Sequence, residues 1–433
     1  MILSNITVPL LGLVDTVVVG HLSDAYYLGA VSVGAMIITF VYSMALFLRM
    51  ATTGVTAQAY GQQSPQGQLE ALVHGIALAL GLAVVILLLH PLIGEVGFSL
   101  AGGSSAVREY GMSYFAIRIY GAPAALINLV LLGWMLGMQS AKGPVWHLII
   151  TNCINIVFDL WFVWGLGFGV EGVAWASLIA DYSGVLVGAY FVRELLRKNQ
   201  ITVLPESLKV WQHWQAIAPL LLINRDIFLR TLCLSVCFMF MTFKGARLGD
   251  DIIAANAILL NLLTLISFAL DGVAYGVEAL VGKAVGAKNR EALRQSIKDS
   301  LFWGVIFALA FVLLFAVGGE WILSLLTDID SVLATASIFL PWMILMPIIS
   351  MWCYIFDGVF IGLTRAKDMR DSTFLAALFG FFLPIGLLSH GLWLVEVEGD
   401  AIWHNHVLWL AMSGFMLLRG VVLAVRLRGR GFD

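Results

Sequence analysis

A chain of 433 residues that is 61% apolar and only 12% charged, with a formal net charge of −3, is excluded from the ordinary soluble class, in which about a quarter of residues are charged. The composition specifies a polytopic membrane protein. Its four cysteines, Cys153, Cys233, Cys237 and Cys353, all fall inside apolar runs, where Cys serves as a small core residue rather than as a metal ligand or half of a disulfide.

The apolar runs are about 20 to 30 residues long, enough to cross a hydrocarbon core of about 30 Å as tilted helices. Only helices or closed barrels satisfy their backbone there, and the ten-residue alternation of barrel strands is absent. The fold expected is all-α, with twelve spans at roughly 1–20, 28–59, 70–98, 110–138, 145–165, 170–195, 213–243, 252–281, 296–318, 332–362, 371–391 and 402–426. The first run has no basic region or small-residue cleavage site, and Asn5, Pro9 and Asp15 interrupt it. It reads as a working helix rather than a signal peptide. In the fourth span Tyr120 and Asn128 are polar sites in an apolar run, and Pro123 is expected to bend the helix between them.

Two stretches 225 positions apart, GWMLGMQSAK from Gly133 to Lys142 and GVFIGLTRAK from Gly358 to Lys367, mark one six-helix unit written twice. Each ends an apolar run with small-xxx-small spacing, Gly133 with Gly137 and Gly358 with Gly362, and leaves through a basic turn. At the same offset Ala59-Tyr60-Gly61 echoes Ala284-Val285-Gly286. The polar segment from about 197 to 212, which contains Pro205, reads as the linker between an N-lobe at 1–196 and a C-lobe at 213–433.

Sixteen Lys and Arg lie at the ends of even-numbered spans against three at odd-numbered ends, Arg108, Lys244 and Arg247. By the positive-inside rule both termini are expected in the cytoplasm. The topology explains the basic clusters without nucleic acid. With an even number of spans in each half the two lobes have the same orientation, and a pseudo-two-fold axis along the membrane normal is expected, around a central cavity.

A charge at the bilayer centre costs at least about 2.5–3.5 kcal/mol on insertion scales, so each intramembrane carboxylate needs a partner, a proton or water. In the first half these are Asp15, Asp159 and Asp181. The fifth span reads TNCINIVFDLWFVWG and sets Asn152, Asn155 and Asp159 at i, i+3 and i+7 on one face. Counting from the nearest outer glycines, Asp15, Asp159 and Ser177 lie roughly 8–12 Å below the outer surface. Carboxylates, an amide and a hydroxyl in one layer offer hard oxygen ligands, and a desolvated carboxylate can also hold a proton. Such a site takes H⁺, or Na⁺ at Asp15, Asn155 and Asp159; the bland alternative is a structural hydrogen bond. Tyr120, Asn128, Asn152 and Asp181 are candidates to line a substrate cavity, or else satisfied interhelical contacts. In the second half Asn224, Arg225, Asp226, Arg230, Asp271, Glu278 and Asp357 read as ion pairing within the lobe, and Arg49 and Arg118 as pairing or snorkelling side chains. Trp134, Trp161, Trp164 and Trp175 are interface anchors or cleft residues.

The strings SNITVPLLGLVDTVVVGHL, NCINIVFDLWFVWGLG, INRDIFLR and MWCYIFDGVFIGLTRAKDMRDS resemble the multidrug and toxic compound extrusion (MATE) family in its DinF branch, and the resemblance covers nearly the whole chain. It implies twelve helices in two lobes and export of organic, often cationic or amphipathic compounds driven by inward H⁺ or Na⁺. It also implies that Asp15, Asn155 and Asp159 form the N-lobe cation or proton site, joined by a hydroxyl matched here by Ser177. Two departures stand out: the first helix looks clipped at its N-terminus, and the acidic C-lobe site of the NorM branch has no clear counterpart, since Asp357 does not match its position.

There is no phosphate-binding loop, no zinc-spaced ligand cluster and no nucleophile elbow. The reading is therefore a secondary antiporter of the inner membrane and not an enzyme, without a cofactor beyond its coupling ion. It is expected to be monomeric, with small organic substrates and membrane lipid as partners. The rival from the same wider superfamily is a lipid-linked oligosaccharide flippase, which needs a cationic cavity for a pyrophosphate headgroup.

Overall fold

The computed structural model of the chain describes residues 25–101, 104–202, 214–388 and 401–429. The first expected span, with Pro9 and Asp15, lies outside the described residues. Among the described residues there are eleven helices long and apolar enough to cross a membrane: Tyr26–Gly61, Pro65–Ala101, Ser105–Gly137, Lys142–Gly165, Gly169–Lys198, Leu220–Ala246, Asp250–Gly286, Arg290–Leu326, Asp330–Gly362, Ala366–Leu388 and Ala401–Gly429. They correspond in order to the second through twelfth spans read from the sequence, and the described residues contain no strand. The chain is an all-α integral membrane protein.

The even-numbered spans from the second to the tenth end on a residue with positive φ. Gln63, Gln139, Gln200, Lys288 and Thr364 adopt positive φ, between 51° and 61°, just past the ends of the second, fourth, sixth, eighth and tenth spans. At the second span the amide of Gln63 donates to Tyr60 O (3.0 Å) and that of Ser64 to Ala59 O (3.0 Å). The same pair of bonds recurs from Gln139 and Ser140 to Leu136 and Met135, and from Thr364 and Arg365 to Ile361 and Phe360. This Schellman geometry satisfies the last carbonyls of each helix. Gln63 with Lys288, and Gln139 with Thr364, are each 225 apart, so the repeat extends to the turns.

The chain divides into two compact units. Among the described residues, the first lies within 25–224 and 282–288, the second within 225–281 and 289–429. Within the first, Gly133 lies against the carbonyl of Arg49, and a Cβ at Gly137 would be 2.9 Å from the carbonyl of Thr53. Within the second, a Cβ at Gly358 would be 2.8 Å from the carbonyl of Ala274. Arg49 and Ala274 are also 225 apart. Each small-xxx-small stripe thus does what small residues do in membranes, letting a neighbouring backbone approach.

Several spans depart from regular α-helix. The second is broken between Ala25–Ser43 and Phe47–Gly61. The fourth is broken by a 3₁₀ turn, Ile119–Gly121, before Ala122–Gly137. The interruption falls just before Pro123, which is accommodated in the first turn of the new helix segment, where its missing N–H costs nothing. The Tyr42 hydroxyl donates to the carbonyl of Arg118 (3.1 Å) at that break. The fifth span changes to π-helix over Leu160–Gly165 and the eleventh over Ala376–Phe382.

Cysteine placement corrects one expectation. Cys237 and Cys353 are buried and Cys233 partly so, but Cys153 is exposed. On a membrane helix an outward position is solvated by lipid as apolar as a core, so the sequence pattern is the same for both. Trp134 is fully buried and donates Nε1 to Gln68 O (2.7 Å), whereas Trp161, Trp164 and Trp175 point outward.

Candidate cation site

The fifth and sixth spans are joined by a tight connection in which Gly167 (φ 70°) and Gly169 (φ 56°) occupy the left-handed region, accessible to glycine without steric cost. The resulting antiparallel pair brings Asn155 to Ser177. Asp159 is wholly buried and Asn155 and Ser177 nearly so. The Asn155 amide bridges the other two when its nitrogen donates to Asp159 Oδ2 (3.2 Å) and its oxygen accepts from the Ser177 hydroxyl and backbone N–H (3.2 Å each). This orientation is set by the hydrogen-bond network. The π-helical turn begins at the residue after Asp159; such turns locally re-aim side chains and frequently mark functional positions.

Three of the four expected site residues are thus in one constellation, and Asp15 lies outside the described residues. A carboxylate, an amide oxygen and a hydroxyl are donors that suit a hard monovalent cation or a proton. No group of three or more His, Cys, Asp or Glu able to hold a metal occurs among the described residues.

The four candidate cavity residues separate. Asp181 pairs with Arg118 (2.7 Å). Asn128 donates to the backbone carbonyl of Asp181 (2.8 Å), and its oxygen meets His147 Nε2 at 3.1 Å. Gly121 gives the ion pair room, since a Cβ there would lie 2.9 Å from the Arg118 guanidinium and 3.0 Å from the Asp181 carboxylate. These residues tie the fourth, fifth and sixth spans together. Tyr120 is more than half exposed, its carbonyl accepting from the Tyr182 hydroxyl (3.0 Å), and Asn152 is partly buried.

In the second unit Arg230 and Arg419 both donate to Asp357 Oδ2, the latter at 2.6 Å, with all three side chains buried. Arg225 and Arg370 both pair with Asp226, at 2.9 and 2.8 Å. Glu278 is buried too. Reading by sequence passes over Arg419 and His147, although a charge in the middle of LLRGVVLAV and an imidazole five residues into an apolar span are signals of the same kind as Asp159.

These features define a class: an α-helical membrane protein whose first unit holds a buried carboxylate beside an amide and a hydroxyl. The sequence matches the MatE family over residues 1–161 and 227–385, and the chain belongs to that family, whose members are transporters rather than enzymes. It is 46% identical to DNA damage-inducible protein F of Escherichia coli strain K12, over 98% of this chain and 89% of that one. It is 25% identical to a probable multidrug resistance protein NorM of Photorhabdus laumondii, over 99% and 94%. Its fold is shared with an outward-facing multidrug resistance MATE family transporter of the MOP superfamily (TM-score 0.82, 19% identity, 99% and 93% coverage). A MATE crystallised in a bent conformation is comparably similar (TM-score 0.80, 21% identity, 99% and 93% coverage).

Proposed function

We propose that this transporter is a secondary antiporter. It exports organic, often cationic or amphipathic compounds across the cytoplasmic membrane in exchange for H⁺ or Na⁺, with both termini in the cytoplasm and the chain acting as a monomer without a cofactor. The cation occupies the seat made by Asp159, Asn155 and Ser177, with Asp15 of the first span contributing a second carboxylate. The observation that carries this reading is the full burial of Asp159 beside an amide and a hydroxyl in otherwise apolar helices. A lone structural hydrogen bond does not require an ionisable group there, and an ionisable group in the membrane is costly and by default marks a functional position.

Coupling follows if the cation and the exported compound have different affinities for two arrangements of the lobes, so that each shifts the population that the other meets. Of the four arginines that would serve a flippase, Arg49, Arg118, Arg225 and Arg230, Arg118 is neutralised by Asp181, which weighs against that alternative, while Arg230 shares the single carboxylate of Asp357 with Arg419. The test is ethidium transport in proteoliposomes, driven by a pH gradient without Na⁺ or by a Na⁺ gradient at equal pH, for the wild type, D15N and D159N. One gradient should drive the wild type and neither should drive the two variants. Wild-type transport in both variants would remove the site assignment.

A further inference from the structure

We propose that the first unit contains a hinge: the second and fourth spans flex together at 43–46 and Ile119–Gly121, with the ion pair of Arg118 and Asp181 as its fulcrum. The half of the unit that carries Asp159, Asn155 and Ser177 tilts on the other half. The inference rests on the antiport reading, which supplies the two arrangements between which the hinge moves.

Each of these spans is two helical segments joined by a tight turn. In the second, Ala25–Ser43 and Phe47–Gly61 are linked by three-residue bonds, from the amides of Ala45, Leu46 and Leu48 to the carbonyls of Tyr42, Ser43 and Ala45 (3.0, 3.2 and 2.9 Å). In the fourth, the 3₁₀ turn Ile119–Gly121 separates Ser105–Arg118 from Ala122–Gly137. Such a stretch inside a longer helix often marks a functional hinge.

The segments pair like with like, leading on leading and trailing on trailing. Both pairings bring backbones together. A Cβ on Gly34 would lie 3.3 Å from the carbonyl of Gly111, and one on Gly111 would lie 3.2 Å from that of Ala30; Gly133 and Gly137 sit likewise against Arg49 and Thr53. Backbones packed this closely move as one body, so the compliant turns lie between two locked pairs. The third span, which packs against both pairs, is weakened near the same place. Its Pro91 has no N–H for the carbonyl of Leu87. His90 Nδ1 donates to that carbonyl instead (2.7 Å), and its ring lies 6.2 Å from that of Tyr120.

Asp181 holds both halves from one point. Its carboxylate accepts from Arg118, the last residue of the leading segment (2.7 Å), and its carbonyl accepts from Asn128 of the trailing segment (2.8 Å). Tyr42 reaches the same place from the second span: its hydroxyl donates to the Arg118 carbonyl (3.1 Å) and its ring lies 5.9 Å from the guanidinium. Asp181 is one turn beyond Ser177 on the sixth span. On the other side of the fulcrum Val31 and Tyr114 of the leading segments share a buried cluster with Val163 and Ala174, which flank Asp159 and Ser177 in the chain. The leading segments and the candidate seat therefore form one body, and the hinge residues absorb the backbone change when that body tilts.

The experiment measures spin-label distances on the full chain in lipid nanodiscs, in a background lacking the four native cysteines, with and without ethidium. The pair S32C/K198C runs from the leading segment of the second span to the end of the sixth, and Q63C/K198C stays on the trailing side; Ser32, Gln63 and Lys198 are exposed. The expected result is that ethidium shifts the S32C/K198C distance and leaves Q63C/K198C unchanged. In R118M/D181L, where apolar side chains replace the pair, and in the milder Y42F, the S32C/K198C distribution should broaden and lose its response. Ethidium transport by R118M/D181L should fall at least about five-fold, the low end of usual coupling factors, with ethidium affinity retained. Both distances shifting in the wild type, or neither, would overturn the hinge, and an unaltered S32C/K198C response in both variants would overturn the fulcrum. If D159N transports normally while S32C/K198C still responds, the seat assignment fails and the hinge stands; if D159N is inactive while the wild-type distances are fixed, only the hinge fails.

Discussion

The α-carbon of Gly133 rests so close to the carbonyl of Arg49 that a methyl group there would overlap it, and 225 residues on Gly358 takes the same position on the carbonyl of Ala274. A backbone carbonyl inside a packed helix cannot give way as a flexible side chain can. We expect Gly133→Ala and Gly358→Ala each to lower stability by about 1–3 kcal/mol, the usual cost of overpacking. Gly81, which has nothing within 4 Å of a Cβ, is the control: Gly81→Ala should be neutral or stabilising by up to about 1 kcal/mol. Thermal unfolding in detergent compares the three, and equal effects would refute the packing argument.

Asp357 is the shared partner of two buried guanidinium groups. Removing one member of a buried ion network leaves the others desolvated and uncompensated, which costs about 3–5 kcal/mol. Asp357→Ala should therefore be among the most destabilising single changes in the second unit, and unaltered thermal stability of that variant would contradict the assignment.

The cap places Gln63 in the left-handed region at φ 54°, a conformation that costs a residue with a Cβ about 1–2 kcal/mol. Gln63→Gly should raise stability by up to that amount, and Gln63→Val, β-branched, should lower it. Unfolding midpoints of the two variants in detergent should thus move in opposite directions from the wild type.

Within the candidate site Asn155 is the bridging group. Asn155→Ala removes the contacts to both Asp159 and Ser177, whereas Ser177→Ala leaves the Ser177 backbone N–H still donating to the Asn155 oxygen (3.2 Å). Gradient-driven ethidium transport should fall further in Asn155→Ala than in Ser177→Ala. The opposite order would place the hydroxyl, rather than the amide, at the centre of the seat.

Much of this was legible in the sequence, for physical reasons. Hydrocarbon thickness fixes helix length, so hydropathy locates the second through twelfth spans with ends that differ by up to eight residues. Helical periodicity put Asn155 and Asp159 on one face, and depth counting put Ser177 level with them. What periodicity does not encode is which partner a polar residue finds. Asp181 and Asn128 have the same sequence signature whether they line a cavity or close an interhelical bond, and here Asp181 pairs with Arg118 and Asn128 bonds to Asp181 and His147. The π-helical turns were likewise invisible, because Leu160–Gly165 contains nothing that an α-helix would refuse. Cys153 was misplaced because lipid and protein core are equally apolar.

The central claim is that Asp159 holds a cation which the exported compound displaces. The most direct measurement is the number of protons released per molecule when ethidium is added to detergent-solubilised protein in weakly buffered, Na⁺-free solution. The account predicts release from the wild type and its loss in D159N with ethidium binding retained. If D159N binds ethidium and releases as many protons as the wild type, the claim is contradicted.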